Sequence, residues 1–125
     1  MPIDATLPYD PSNVFARILR NELPAAIVYE DGWAVAFKDL NPQAPTHVLV
    51  VPRGPYVSWD DFSERGTDEE VAGFVRAVGR VAREMGLVVP GYRLLANVGP
   101  HGGQEVPHLH VHLFAGEPLG PMLAR

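Results

Sequence analysis

Apolar and polar positions alternate strictly near the end of this chain. In His108-Leu109-His110-Val111-His112-Leu113-Phe114, imidazoles and apolar side chains take turns. Successive side chains of an extended strand point to opposite faces, so His108, His110 and His112 are expected on one face and Leu109, Val111 and Leu113 on the other. Upstream, Val71, Phe74, Val75, Val78, Val81, Ala82 and Met85 recur at three- and four-residue spacing. That period predicts a long helix reaching about Met85, opened by the capping box of Thr67-Asp68-Glu69-Glu70 and closed at Gly86. A shorter stripe, Val14, Phe15, Ile18 and Leu19, predicts a helix over Asn13 to Arg20 that Ser12 caps and Pro24 ends. His47 to Val51 shows no polar alternation and reads as a central strand covered on both faces. Ala26 to Tyr29 and Trp33 to Phe37, reaching Asp39, flank the hairpin signal Asp31-Gly32. Tyr92 to Val98 reads as a further strand.

Between these elements, Asn41-Pro42-Gln43-Ala44-Pro45 is a rigid loop, since its two prolines fix dihedrals and remove donors. Pro55 to Arg65 reads as a connecting segment pinned by Trp59 and Phe62, and Gly99 to Gly103 as a flexible turn. The expectation is a single α+β domain: an antiparallel sheet of about five strands, one short and one long helix, and the helices on one side. Residues 1–12 form a loosely held N-terminal arm, 13–115 the domain, and 116–125 a C-terminal tail.

Composition narrows the function. With 125 residues the chain has the length of one domain, and its net charge of −5 opposes broad binding to nucleic acid or anionic membrane. No segment has the make-up of a signal peptide or the length of a membrane span, so a cytoplasmic protein is expected. The absence of cysteine removes disulfides, thiolate zinc sites and cysteine nucleophiles.

Three alternating imidazoles leave two chemical readings. Alternate strand residues sit about 6.6 Å apart, which separates His108 from His112 by roughly 13 Å. One ion needs ligand nitrogens at about 2.0–2.1 Å, so a metal would use at most two of the row, with His47 or His101 supplying others. The second reading is phosphorus chemistry. Imidazole titrates near neutrality, so one ring can attack while a cationic neighbour holds phosphate oxygens. The central ring, His110, has an imidazole on each side, and Gly102-Gly103-Gln104 can offer amide donors nearby.

The same residues resemble a known family. His108 to Phe114 matches the His-φ-His-φ-His-φ-φ signature of the histidine triad family. Phe37-Lys38-Asp39-Leu40-Asn41-Pro42-Gln43-Ala44-Pro45-Thr46-His47-Val48-Leu49-Val50-Val51-Pro52 and Phe15 to Ala25 look like its branch of nucleotide-binding nucleoside phosphoramidases. The resemblance covers roughly Asn13 to Leu123. It implies the histidine-triad fold, a homodimer with joined sheets, and metal-free, cofactor-free hydrolysis of the P–N bond in purine nucleoside 5′-phosphoramidates. A nucleotide-binding regulatory module with residual hydrolysis and a dinucleoside polyphosphate hydrolase are the alternatives. It further implies His110 as nucleophile, His108 and His112 as its supports, and His47 as a fourth histidine near the site. Asp39 matches the ribose-hydroxyl acceptor, Phe15, Ile18, Phe37 and Leu40 the base pocket, and Asn97 and Gln104 polar phosphate-side groups. Glu105 stands where some relatives have serine near the leaving group, and the tail lacks the tryptophan some relatives have there. Asn13 and Ala16 stand where many members carry Cys-x-x-Cys, so the structural zinc those members bind is not expected.

Overall fold

The computed structural model describes residues 2–124; Met1 and Arg125, the outer ends of the arm and the tail, lie outside them. The chain folds in the order α1 (Val14–Leu19), β1 (Ile27–Glu30), β2 (Ala34–Lys38), β3 (Thr46–Pro52), α2 (Trp59–Arg65), α3 (Asp68–Glu84), β4 (Arg93–Leu95), α4 (Gly99–Gly102) and β5 (Val111–Ala115). The strands form one sheet in the order β1-β2-β3-β5-β4, and every neighbouring pair is antiparallel. The histidine strand is therefore interior, between β3 and β4.

Parity along the strands decides which side chain meets which helix. Ala34, Ala36, Val48, Val50, Val111, Leu113 and Ala115 point to the face that α3 covers with Phe74, Ala77, Val78, Val81 and Ala82. Val35, Phe37, Leu49 and Val51 point the other way, onto Phe15, Ile18 and Leu19 of α1. The two helices thus lie on opposite faces, not on one side. This is why β3 is apolar at successive positions: each face has its own helix to meet. The α3 capping box forms as expected, with Thr67 Oγ1 accepting from the Glu70 N–H and the Glu70 carboxylate from the Thr67 N–H.

Four local expectations change. Asn13, not Ser12, caps α1: its side chain accepts from the Ala16 N–H at 2.9 Å, while the Ser12 hydroxyl bonds Asp10. The segment after Pro55 contains a helix, α2, which Ser58 caps by accepting from the Asp61 N–H. The strand expected over Tyr92 to Val98 is paired only at Arg93–Leu95, because the chain then turns into α4. That short helix replaces the expected flexible turn and is fastened where the Gly99 N–H donates to Gln104 Oε1 at 3.1 Å.

The arm is tied rather than loose. The Ile3 N–H donates to the Gln104 carbonyl at 2.7 Å, and the Tyr9 hydroxyl reaches His108 Nδ1 at 2.6 Å. The tail is held by Arg93, whose guanidinium donates to the carbonyls of Gly120 and Pro121. Among the described residues no helix is long and apolar enough to cross a membrane.

Candidate active site

The histidine row lies only partly in a strand. Pairing between β3 and β5 ends at Val50 opposite Val111, so His108 and His110 precede the ladder. Pro52 has no N–H to continue it, and the Leu109 N–H turns instead to the Tyr56 carbonyl at 2.8 Å. The vacated Pro52 carbonyl accepts from His108 Nε2 at 2.9 Å, so a side chain takes the place of a ladder bond. Alternation survives the departure. Leu109 stays in the α3-side core with Val111 and Leu113, while the histidines gather on the α1 side. Phe15 stands edge-on to His110 at 4.9 Å between ring centroids and to His108 at 6.5 Å; His110 and His112 are 5.0 Å apart.

The hydrogen bonds fix which nitrogen of each ring carries its proton. A backbone carbonyl can only accept, so His108 bears its proton on Nε2, facing Pro52, and its Nδ1 accepts from the Tyr9 hydroxyl. His110 Nδ1 donates to the His108 carbonyl at 2.8 Å, which leaves Nε2 of His110 as a bare lone pair. A second chain starts at the Gln43 N–H, which donates to His47 Nδ1 at 3.1 Å. His47 must then carry its proton on Nε2, which donates to His112 Nδ1 at 2.9 Å. His112 is left with its proton on Nε2, a buried atom that no other group among the described residues bonds. The site therefore presents one free lone pair beside one free N–H, the pairing needed to attack phosphorus and hold an oxygen attached to it.

Burial keeps these rings neutral. Loss of solvent lowers the pKa of His108 to about 4, against an opposing bond to the Pro52 carbonyl. His112 is likewise lowered to about 4 by burial and then by His110 and His47 beside it. Burial also lowers His110 and His47, with Asp39 pulling both the other way. The expected arrangement of one neutral and one cationic imidazole is thus replaced by neutral rings whose roles are set by their bonds.

The remaining predicted site residues divide. Asp39 stands 3.5 Å from His47 Nε2, with its other oxygen accepting from the Asn41 N–H. Phe15 packs edge-on against Phe37 at 5.4 Å, with Ile18 alongside, so an apolar wall borders the histidines. Leu40 does not join it; the side chain is 91% exposed. Asn97 is half-buried where β4 leads into α4, and Glu105 is exposed. Gln104 is not free for phosphate. Its side chain accepts from the Gly99 N–H and donates to the Val57 and Val106 carbonyls, which makes it a clamp holding α4 to the loop before α2. Tyr9 was not legible as a site residue, since it is 99 positions from the ring it bonds.

Asp39, His47 and His112 bring three potential ligand atoms within 4.8 Å of one another. Their wiring opposes a metal there. A cation would need bare nitrogens at His47 Nε2 and His112 Nδ1, but the Gln43 N–H already occupies His47 Nδ1 and confines that ring's proton to Nε2.

Comparison with known proteins shows the family and the fold. A model of the HIT domain matches residues 20–119. The chain belongs to the HIT-domain family. All four site histidines and Asp39 lie inside the HIT-domain match, whereas Tyr9 and Phe15 lie upstream of it. Among its HIT relatives is a HIT-like protein of Azospirillum brasilense, 61% identical over 94% of this chain and 96% of the relative. The purine nucleoside phosphoramidase of Escherichia coli K12 is 42% identical over 89% of this chain and 92% of its own length. A histidine triad protein from Clostridium difficile superposes with a TM-score of 0.78 at 41% identity, covering 88% of this chain and 95% of that one. A HIT family hydrolase from Clostridium thermocellum superposes equally well, TM-score 0.78, at 36% identity over 90% of this chain and 97% of that one.

Proposed function

We propose that this HIT-family hydrolase cleaves the P–N bond of purine nucleoside 5′-phosphoramidates through a nucleotidyl-histidine. The observation that carries the reading is the bare Nε2 of His110, left free because Nδ1–H is spent on the His108 carbonyl. In this reading Nε2 attacks phosphorus, the P–N bond breaks and the nitrogen leaves as an amine, taking a proton from solvent. Water then attacks the same phosphorus, releasing the nucleoside monophosphate and restoring His110. His112 Nε2–H meets the oxygen on which charge develops. Asp39 accepts from the ribose hydroxyls, and Phe15, Ile18 and Phe37 flank the base. The 42% identity to a purine nucleoside phosphoramidase supports the choice of substrate.

The enzyme is proposed to work as a homodimer joined at β4. The outer edge of that strand pairs with no other among the described strands. Beside it lies an apolar cavity of about 570 Å³, whose rim includes Trp59, Val75, Tyr92, Leu94 and Val98. Those side chains are exposed, and a second copy is the partner that would cover both the open edge and the apolar rim.

The test is to incubate the protein with adenosine 5′-phosphoramidate and measure release of adenosine monophosphate. His110→Ala should lower turnover by at least about three orders of magnitude, and quenched reactions of the native protein should carry the nucleotidyl group on His110. Equal turnover in the variant, or a label on another residue, refutes the assignment. Preferential cleavage of dinucleoside polyphosphates would replace the substrate class and keep the nucleophile.

A further inference from the structure

We propose that Tyr9 is a positioning residue of the active site: its hydroxyl, bonded to His108 Nδ1, holds the ring of the residue whose backbone carbonyl in turn holds His110. The inference rests on the proposed reaction for its kinetic consequence but not for its structural one. His108 is fully buried and gripped at both ends, by the Pro52 carbonyl at Nε2 and by Tyr9 at Nδ1. Two anchors on opposite edges of an imidazole fix its plane, and a single anchor leaves it free to pivot. The plane matters because the His108 backbone is outside the sheet ladder, so side-chain bonds must do what strand pairing does elsewhere. That backbone supplies the carbonyl that takes the His110 Nδ1 proton and so frees Nε2.

The placement of Tyr9 is built rather than incidental. Pro8 precedes it and Pro11 follows, each with a fixed φ. Asp10 bonds the Ser12 N–H and hydroxyl, and Arg20 donates to the Pro11 carbonyl at 2.8 Å, closing the arm after Tyr9. On the other side, the Ile3 N–H is tied to Gln104, four residues before His108. The Tyr9 ring also meets the His108 ring edge-on at 5.6 Å. Burial raises the pKa of Tyr9, so its hydroxyl is protonated and able to donate near neutral pH. Tyr9 lies in the N-terminal arm, upstream of the residues 20–119 that match the HIT domain.

Tyr9→Phe keeps the ring and removes the bond. Its turnover number on adenosine 5′-phosphoramidate should fall about tenfold with KM within twofold, since nothing that contacts substrate has changed. In a His108→Ala background the same substitution should have no further effect. Nitrogen-15 spectra of the histidine rings, recorded without substrate, supply the readout that a fastening role alone would not move. His108 Nδ1 should show the shift of a hydrogen-bonded acceptor in the native protein and lose it in Tyr9→Phe, and the protected His110 Nδ1–H signal should broaden. Native turnover in Tyr9→Phe, an equal loss with and without His108, or unchanged His108 and His110 ring signals would each overturn the proposal. A native protein inactive on every phosphoramidate would instead refute the reaction, and the ring spectra would still decide the role of Tyr9.

Discussion

Acid should weaken this protein in a pH window set by its buried histidines. His108 and His112 titrate at about 4 in the folded chain because burial strips their water. In the unfolded chain both return to about 6.5. Between those values the unfolded state binds more protons, so stability is lost as pH falls from about 6.5 toward 4. Each ring then costs on the order of 2 kcal/mol between pH 7 and pH 5, and the pair about twice that. That is a large share of the roughly 5–15 kcal/mol that holds a domain together. His47 and His110 shift in the same direction and add to the loss. Carboxylates do not mask it. Asp61, held low by Arg65, and Glu70, held low by the Tyr56 hydroxyl, lose their contributions at lower pH, below the ordinary carboxylate range. The assay is urea unfolding followed by fluorescence of Trp33 and Trp59 at pH 7, 6 and 5 and constant ionic strength. For a slope near 2 kcal/mol per molar, the midpoint should drop by about 2 M from pH 7 to pH 5. A midpoint that stays level, or a His108 ring signal that titrates near 6.5 in the folded protein, would refute the reasoning.

Three further outcomes are expected. His47→Phe keeps an aromatic ring against Phe114 but removes the N–H that confines the His112 proton, so turnover should fall about 10- to 100-fold with a smaller change in KM; an unchanged rate would show that the relay is not used. Asp39→Asn should raise KM about tenfold for ribonucleotide substrates and shrink the discrimination against 2′-deoxy analogues, and equal KM values would remove Asp39 from ribose binding. Leu94→Glu, on the exposed side of β4, should sediment as a monomer at micromolar concentration where the native protein sediments as a dimer; a native monomer would end the interface proposal.

Much of the fold was legible because local signals and tertiary demands agree. The α3 stripe, its capping box and the unbroken β3 run are each consequences of what those elements must cover, and they were read from spacing. The signal for α2 was present too, in Ser58-Trp59-Asp60-Asp61 with acids in the first turn, but Pro55 and the short length favoured a loop. The choice between Ser12 and Asn13 as cap turned on Asp10, which claims the Ser12 hydroxyl first. Gln104 matched a phosphate-side group through the family resemblance, which carries residue type and position but not hydrogen-bond partners. Its three hydrogen bonds run to Gly99, Val57 and Val106, and no local pattern encodes the pairing with Val57, 47 residues away. Tyr9 failed for the same reason on a longer scale. Opposite placement of α1 and α3 was implicit in the run His47 to Val51, since a strand apolar on both faces requires two covers.

The departure of His108 and His110 from the ladder explains how similar side chains acquire different roles. Within a regular strand His108, His110 and His112 would repeat one environment every two residues, and nothing local would decide which ring attacks. Ending the ladder at Val111 gives each a distinct partner: a carbonyl and a tyrosine for His108, a carbonyl alone for His110, and another imidazole for His112. Only the middle ring is then left with an unprotonated nitrogen open to substrate. Burial completes the division by holding all the rings neutral near pH 7, so the lone pair of His110 is not consumed by a proton.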